Sequence, residues 1–353
     1  MARIVLLLLC SCLFWGCQKK SSVQRPAGDD FASLTGKGTP SWSFVKTKED
    51  AEYLDFYSRM YELRKGLHAA MDGVYRIPPV VHFIWIGPRP FPRESVENVR
   101  TWLAHHPDWT FYFWTDRDRS PPCSGMKVRY IKDLTFLKLK PCFSTSDNYG
   151  EKSDLLRYEI LFQEGGIYVD HDFVCFKPFD ALNKAYDFYC GIDMPNTSSL
   201  SSCIHTTNSI IGAKAHHPIL KECMDMLAER WDKIGEEYPG SDKDAMMSRI
   251  VHRTYHLFGE AVKQCHNSTG NRDIVFPAHY FHAPCDVLAL FARHKYAGSW
   301  FQSESAFEKK VSERLMYLSK KSNKILLFVG VFSALNFLAL LAVWFKVAKR
   351  KKC

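Results

Sequence analysis

The sequence predicts an α/β domain built on a mainly parallel sheet. Short apolar runs of strand length alternate along the chain with longer stretches of helical periodicity, and this alternation is the pattern of strands connected by helices. The chain shows no internal repeat and no low-complexity block.

In order, Thr47–Met71 carries Tyr53, Phe56, Tyr57, Met60, Leu63 and Leu67 at helical spacing and gives way to Pro78-Pro79. Val80–Ile86 reads as a buried parallel strand closed by Gly87-Pro88. Glu94–His105 has helical periodicity, and Thr110–Trp114 is a second strand beyond the breaker Pro107. A connection rich in Pro and charge leads to a helix over Lys152–Gln163, stopped by Gly165-Gly166 as its C-cap. Ile167–Val169 is a third strand, Asp187–Ile192 a fourth, and Ser209–Gly212 a short strand before the helix Pro218–Trp231. In sheets of this kind ligands bind at the C-terminal ends of the strands. The residues with chemistry fall there.

At 353 residues the chain is long enough for one sizeable core with terminal appendages. Its charge of +9 is unevenly placed: residues 320–353 hold eight Lys or Arg and no acid, which leaves the first 319 residues near +1. A nucleic-acid surface would be a basic stripe on the folded part, so the composition argues for no nucleic-acid partner. Within the basic tail, Ile325–Phe345 is 21 residues long with Asn336 as its one polar amide. As a helix it would span about 31 Å, the thickness of a hydrocarbon core, and is expected to cross a membrane. At the other end, Arg3 precedes an apolar run over Ile4–Trp15 that suits a signal peptide, and Phe14-Trp15-Gly16-Cys17 is similar to a lipoprotein cleavage site. Cys123, Cys142, Cys175, Cys190, Cys203, Cys223, Cys265 and Cys285 are scattered without metal-ligand spacing, and fit either disulfides or buried thiols.

The strongest element is Gly165-Gly166-Ile167-Tyr168-Val169-Asp170-His171-Asp172. A buried strand leads into two carboxylates separated by one residue. If the chain turns at Asp170, both can reach one cation; if it stays extended, period two puts both on one face and His171 on the other. Hard carboxylate oxygens suit Mn²⁺ or Mg²⁺. Upstream, Asp154 and Arg157 share a helix face at i,i+3 spacing. They are either a surface ion pair or a group that accepts from sugar hydroxyls beside a fixed positive charge.

Taken together, S-D-L-L-R-Y-E-I-L-F-Q-E-G-G-I-Y-V-D-H-D resembles the DXD sugar-binding region of Och1-type mannosyltransferases and the clostridial glucosylating toxins. The resemblance extends to Ile77–Gly87, IPPVVHFIWIG, and to His294–Trp300, HKYAGSW, and so covers about 225 residues in order. It implies a GT-A fold, a UDP- or GDP-hexose donor, a divalent cation and retention of configuration at the sugar. Trp85 would stack on the base, with a core aromatic as its alternative, and Tyr168 would line the nucleotide pocket. Asp170 would touch ribose or metal-bound water, Asp172 would ligate the metal, and His294 would be a third ligand or a diphosphate donor. Asp154, Arg157 and Asn208 would hold the donor sugar, while Ser299 and Trp300 would bind the diphosphate. No carboxylate is identifiable as a nucleophile, so front-face attack by the acceptor hydroxyl is expected, with Asp193 the acid to watch.

The implied organisation is a signal segment at 1–17, a flexible tether at 18–46, a helical lead-in at 47–76 and a catalytic domain at 77–302. A helical stem at 303–324, a membrane helix at 325–345 and a basic tail at 346–353 follow. The positive tail favours a cytoplasmic C-terminus with the catalytic domain on the exported or luminal side. In a secretory lumen K-R-K-K-C would fit a retrieval signal, and Asn196-Thr197-Ser198 and Asn267-Ser268-Thr269 are sequons. The acceptor is a glycan, lipid or protein. Two other classes fit parts of the pattern. A metal-dependent phosphohydrolase would use Asp170 and Asp172, but Gly165-Gly166 precedes the strand rather than forming a phosphate-cradling loop after it. A membrane adaptor with a degenerate transferase fold would not need Asp154, Arg157, Trp85 and both DXD carboxylates together.

Overall fold

The computed structural model describes residues 28–70, 73–196 and 200–299. The chain divides into two units, residues 1–297 and 298–353. Of the second, Gly298 and Ser299 are described. The expected signal segment and the expected membrane helix at 325–345 lie outside the described residues. Among those that are described, no helix is long and apolar enough to cross a membrane.

Helix α1 (Phe31–Leu34) is capped by Asp30, and Phe31 and Leu34 are both buried. The described part of the expected tether is therefore docked, because two large apolar side chains gain more by burial than a loose segment would. A 3₁₀ turn at Pro40–Phe44 follows. Helix α2 (Lys48–Arg64) begins with a capping box: Asp50 N–H donates to the Thr47 side chain, and the Asp50 carboxylate accepts from Thr47 N–H. Its Tyr57, Met60 and Tyr61 are buried in the common core, so the lead-in belongs to the domain. The helix ends earlier than the periodicity suggests: Gly66 intervenes, a 3₁₀ turn covers Leu67–Ala70, and Leu63 is exposed.

Next come β1 (Val80–Ile84), α3 (Arg93–His105), β2 (Thr110–Thr115) and β3 (Lys127–Tyr130). Helices α4 (Lys140–Thr145) and α5 (Tyr149–Glu164) lead into β4 (Gly166–Val169) and β5 (Phe173–Cys175). After α6 (Asp180–Ala185) come β6 (Phe188–Ile192), β7 (Thr206–Ala213) and α7 (Pro218–Glu237). Helix α8 (Lys243–Ile250) runs through a π turn (Val251–His256) into α9 (Leu257–Cys265). Strands β8 (Asp273–Phe276) and β9 (Ala292–His294) complete the described set.

The main sheet has the order β3-β2-β1-β4-β7-β6-β8, and β5 pairs with β9 in a separate ribbon. β3, β2, β1 and β4 run parallel, β7 is antiparallel to both of its neighbours, and β6 and β8 are again parallel. The expected mainly parallel sheet is present, with one reversed strand inside it. That strand is longer than the expected Ser209–Gly212, so Asn208 lies within β7 rather than ahead of it.

Every residue of β4 is buried, and its entry explains the double glycine. Gly165 closes α5 with φ +67°, and Gly166 opens the strand with φ +101°. A Cβ on Gly166 would lie 2.8 Å from the Val80 carbonyl oxygen, so any side chain there would push β4 away from β1. Behind this contact His82 is fully buried: Trp114 Nε1–H donates to its Nδ1 at 3.1 Å. Its Nε2 therefore carries the proton and donates to the Gly165 carbonyl at 2.9 Å. The eight cysteines of the domain are free thiols.

Candidate active site

β4 stands at the centre of the sheet, where the parallel half meets reversed β7, and its C-terminal end opens into the site. Asp170 N–H still bonds across to the Ser209 carbonyl at 2.9 Å. The chain then turns, with Phe173 N–H donating to the Asp170 carbonyl at 3.3 Å. β5 leaves in a new direction and pairs Phe173 with His294 of β9. Of the two geometries open in the sequence, the turn is the one adopted.

This pairing brings His294, 122 residues beyond Asp172 in the chain, to the two acids. Ligand atoms of Asp170, Asp172 and His294 all lie within 4.8 Å of one another. His294 Nε2 is 3.1 Å from Asp172 Oδ1 and 3.9 Å from Asp170 Oδ2, and its ring stacks on Phe173 at 4.6 Å. Burial works against charge on both partners. It is outweighed, so Asp172 is held well below the usual carboxylate range by His294 and the Ala297 N–H, and His294 is raised by Asp172. Two carboxylates and an imidazole are a hard-to-borderline donor set suited to Mn²⁺ or Mg²⁺.

His171 points away from the two acids. Its Nδ1 meets Ser95 Oγ at 2.7 Å, and its ring meets Trp85 edge-on at 5.0 Å and Phe91 at 5.7 Å. Trp85 is half-buried, with Nε1–H donating to the Arg89 carbonyl at 2.9 Å. Its backbone N–H bonds to Trp114 O at 2.9 Å, one residue past the end of β1.

Below the acids, Asp154 and Arg157 of α5 are buried, 5% and 4% exposed, which rules out a surface pair. Arg157 Nη2 is 2.6 Å from Asp154 and 3.3 Å from Asp170, while Nη1 donates to the Asn208 carbonyl at 2.6 Å. One guanidinium thus ties α5 to the DXD turn and to β7. Burial raises Asp154 to about 6, against the pull of Arg157.

Tyr168 differs from its expected role. It is 2% exposed, its ring lies under Arg157 at 4.1 Å and its hydroxyl donates to Asp170, so it braces both rather than offering a face to a nucleotide. Asn208 is fully buried: Nδ2 donates to Tyr158 Oη at 3.0 Å, and Oδ1 has no partner among the described residues. Tyr158 donates in turn to the Thr254 carbonyl at 2.8 Å. That carbonyl belongs to the π turn, a feature often found where a helix serves a site.

Asp193, one residue past β6, accepts from the Tyr296 hydroxyl, whose ring lies 4.3 Å from His294. Ser299 belongs to the second unit, and Trp300 lies outside the described residues. Sequence reasoning missed Tyr158, Thr254 and Tyr296 as supports. Tyr158 sits inside the quoted helix as an ordinary apolar position, and Thr254 acts through its backbone, so neither carried a signal. Tyr296 lay within the quoted HKYAGSW.

Residues 92–189 match the family model described as a glycosyltransferase sugar-binding region containing a DXD motif. Residues 146–237 match a model for a capsular polysaccharide synthesis protein. Inositol phosphoceramide mannosyltransferase 1 of Schizosaccharomyces pombe is 27% identical over 167 residues, 46% of this chain and 47% of that one. Subversion of eukaryotic traffic protein A of Legionella pneumophila is 30% identical over 128 residues, 32% of this chain and 20% of that one. The chain therefore spans about half the length of the first relative and a fifth of the second. Among solved structures, the catalytic domain of alpha-toxin from Clostridium novyi aligns over 81% of this chain and 92% of that one, at 12% identity and a TM-score of 0.46. With the DXD turn inside the matched segment, the chain carries a glycosyltransferase sugar-binding region of the DXD type, as its resemblance implied.

Proposed function

We propose that the chain is a divalent-metal-dependent, retaining glycosyltransferase that takes a hexose from a UDP- or GDP-sugar. The observation that carries this is the convergence of Asp170, Asp172 and His294 within 4.8 Å at the end of the central strand. In this reading Asp170, Asp172 and the deprotonated Nε2 of His294 would hold Mn²⁺ or Mg²⁺. The ion would neutralise charge on the donor's diphosphate as the sugar departs.

The remaining work falls to the chain. Arg157, fixed by Asp154, Asp170 and the Asn208 carbonyl, is a preorganised positive charge and needs no rearrangement as negative charge builds on the leaving group. Asp154 faces the donor sugar, accepts from its hydroxyls and opposes the positive charge that develops on the ring. Trp85, anchored through Nε1 and His171, offers its free edge and face to the base. Asp193, gripped by Tyr296, lies toward the acceptor. Retention would follow from attack by the acceptor hydroxyl on the face the diphosphate leaves, since no carboxylate among the described residues is identified as a nucleophile.

The apolar segment 325–345 would hold the enzyme at a membrane, with the domain on the exported or luminal side. The name of the yeast relative makes a mannosyl donor and a lipid-borne acceptor the first pair to test.

The test is hydrolysis of a panel of UDP- and GDP-hexoses by the full-length chain, with and without Mn²⁺, beside an Asp170→Asn/Asp172→Asn variant. Release of one hexose that needs Mn²⁺ and disappears in the variant is the expected result. Metal-independent release, or equal release by the variant, would remove the proposal.

A further inference from the structure

Beyond β1 the chain runs through Gly87-Pro88-Arg89-Pro90-Phe91, and this loop carries the anchor of Trp85. The indole donates from Nε1 to the Arg89 carbonyl at 2.9 Å. An indole has a single N–H, so this is the one directional restraint on the ring. The contacts with His171 at 5.0 Å and Phe91 at 5.5 Å are edge-on packing. Pro88 and Pro90 have no N–H, so the loop cannot fasten itself through them. It is held from outside.

The hold comes from the segment after β2. Asp116 Oδ2 accepts from Gly87 N–H at 3.1 Å, and Arg119 Nη2 donates to the Gly87 carbonyl. Both backbone groups of one residue are thus taken by side chains three positions apart. Arg119 Nη1 also donates to the Arg89 carbonyl at 2.9 Å. That carbonyl accepts from Arg119 and from Trp85 together, which uses both of its lone pairs. The Arg119 side chain is 13% exposed and lies 3.6 Å from Asp116, so the fork has little room to leave. Arg117 covers the outer side of the same carboxylate at 2.8 and 3.0 Å.

The clamp is continuous with the sugar end of the site. Gly87 has φ +88°, and a Cβ there would lie 2.8 Å from the ring of Tyr149. Tyr149 is the first residue of α5, the helix that bears Asp154 and Arg157. A side chain at Gly87 would therefore push the loop off that helix and carry the Arg89 carbonyl with it.

We propose that Arg119 is a positioning residue for the nucleotide: by fixing the Arg89 carbonyl, it holds the Trp85 indole at the angle on which the donor's base stacks. This rests on the transferase reading, in which Trp85 meets the base. A ring already set in place loses little freedom when the base arrives, whereas a ring free to turn has to be ordered first. The effect of Arg119 falls on donor affinity, before any bond breaks.

Arg119→Lys tests this, since it keeps the charge and loses the fork that spans two carbonyls. Calorimetric titration of the full-length chain with UDP and GDP in the presence of Mn²⁺ gives the nucleotide affinity. Titration with Mn²⁺ alone reports the metal end and the fold. Whichever nucleotide the parent chain binds should bind the variant about tenfold more weakly, the lower part of what a stacked base contributes, with Mn²⁺ affinity unaltered. In donor hydrolysis KM should rise by the same factor while kcat is kept. In a Trp85→Ala background Arg119→Lys should add nothing further, because the ring it acts through is gone. Nucleotide affinity unaltered by Arg119→Lys overturns the proposal, and so do losses that add in the double variant. If Arg119→Lys loses Mn²⁺ binding as well, Arg119→Gln decides by the same readouts; loss of both ligands there too makes Arg119 a structural staple and overturns the proposal. A parent chain that binds neither nucleotide would instead overturn the transferase reading.

Discussion

Asp50 and Asp172 are both buried acids held below the usual carboxylate range, yet the fold uses them differently. Asp50 Oδ2 accepts from the backbone N–H of Lys46 and Thr47, both at 2.8 Å, and Oδ1 accepts from Ser202 Oγ and Cys203 N–H. A carboxylate has about four acceptor positions, so Asp50 is full. Asp172 accepts from His294 and Ala297 N–H, one on each oxygen. In Asp170, Oδ1 meets Tyr168 and Arg157, while Oδ2 has His294 at 3.9 Å as its nearest cationic group. Glu159 belongs with Asp50, since it accepts the backbone N–H groups of Leu137, Lys138 and Leu139. An acid that staples segments together is spent on backbone donors. The acids at the end of β4 take one backbone donor between them, Ala297 N–H, are otherwise braced by side chains, and keep capacity facing the cleft.

The sharpest way to break this contrast is Arg157→Lys. The charge stays, but the fork that reaches Asp154, Asp170 and Asn208 at once is lost. Turnover of the donor should fall about 10²-fold or more, in line with losing a preorganised donor at a developing anion. Near-normal turnover would mean that the brace is only structural. Low pH attacks the same pair: Asp154 gains its proton as pH falls through about 6, so KM for the donor should rise below that value.

Asp50→Ala tests the other side. It orphans four donors in a buried junction, and urea denaturation should show a loss of about 4 kcal/mol, at the upper end for one substitution. Affinity for Mn²⁺ should be unaltered. The lowered pKa of Asp50 adds a pH signature: its contribution is present above the unfolded value near 4 and is lost as pH falls through and below it.

His82→Gln sharpens the comparison with a buried base. Burial holds His82 at about 4, below its unfolded value near 6.5, so the unfolded chain binds more protons between the two. Stability from this residue is therefore complete above about 6.5 and is lost as pH falls toward 4, by on the order of 3 kcal/mol. In His82→Gln the melting temperature should depend less on pH across that window. The smallest effect is expected from Tyr168→Phe, which removes one donor to Asp170. Mn²⁺ affinity should shift only a few-fold, about 1 kcal/mol.

Much of this was legible in the sequence because it was local. The run from Ser153 to Asp172 names the helix, the glycine turn, the strand and both acids, since each is set by neighbours in the chain. His294 was reached through the resemblance, and the β5–β9 ribbon gives the physical reason for its position. What stayed hidden depends on long-range pairing. Reversed β7, the burial of Asp154 and Arg157, and the use of the Asn208 and Thr254 carbonyls follow from how distant segments stack, and a backbone carbonyl leaves no mark in a sequence. Tyr168 was misjudged for the same reason. Its identity fits a nucleotide wall, and only the position of Arg157 over its ring turns it into a support.

The central claim is that the open carboxylates, unlike the filled ones, hold a divalent cation that couples the site to a nucleotide diphosphate. Calorimetric titration of UDP and GDP into the full-length chain, with and without Mn²⁺, tests it most directly beside Asp170→Asn/Asp172→Asn. The predicted result is binding of one nucleotide that requires Mn²⁺ and is lost in the variant while its melting temperature is kept. Binding that is indifferent to Mn²⁺, or preserved in the variant, would contradict it.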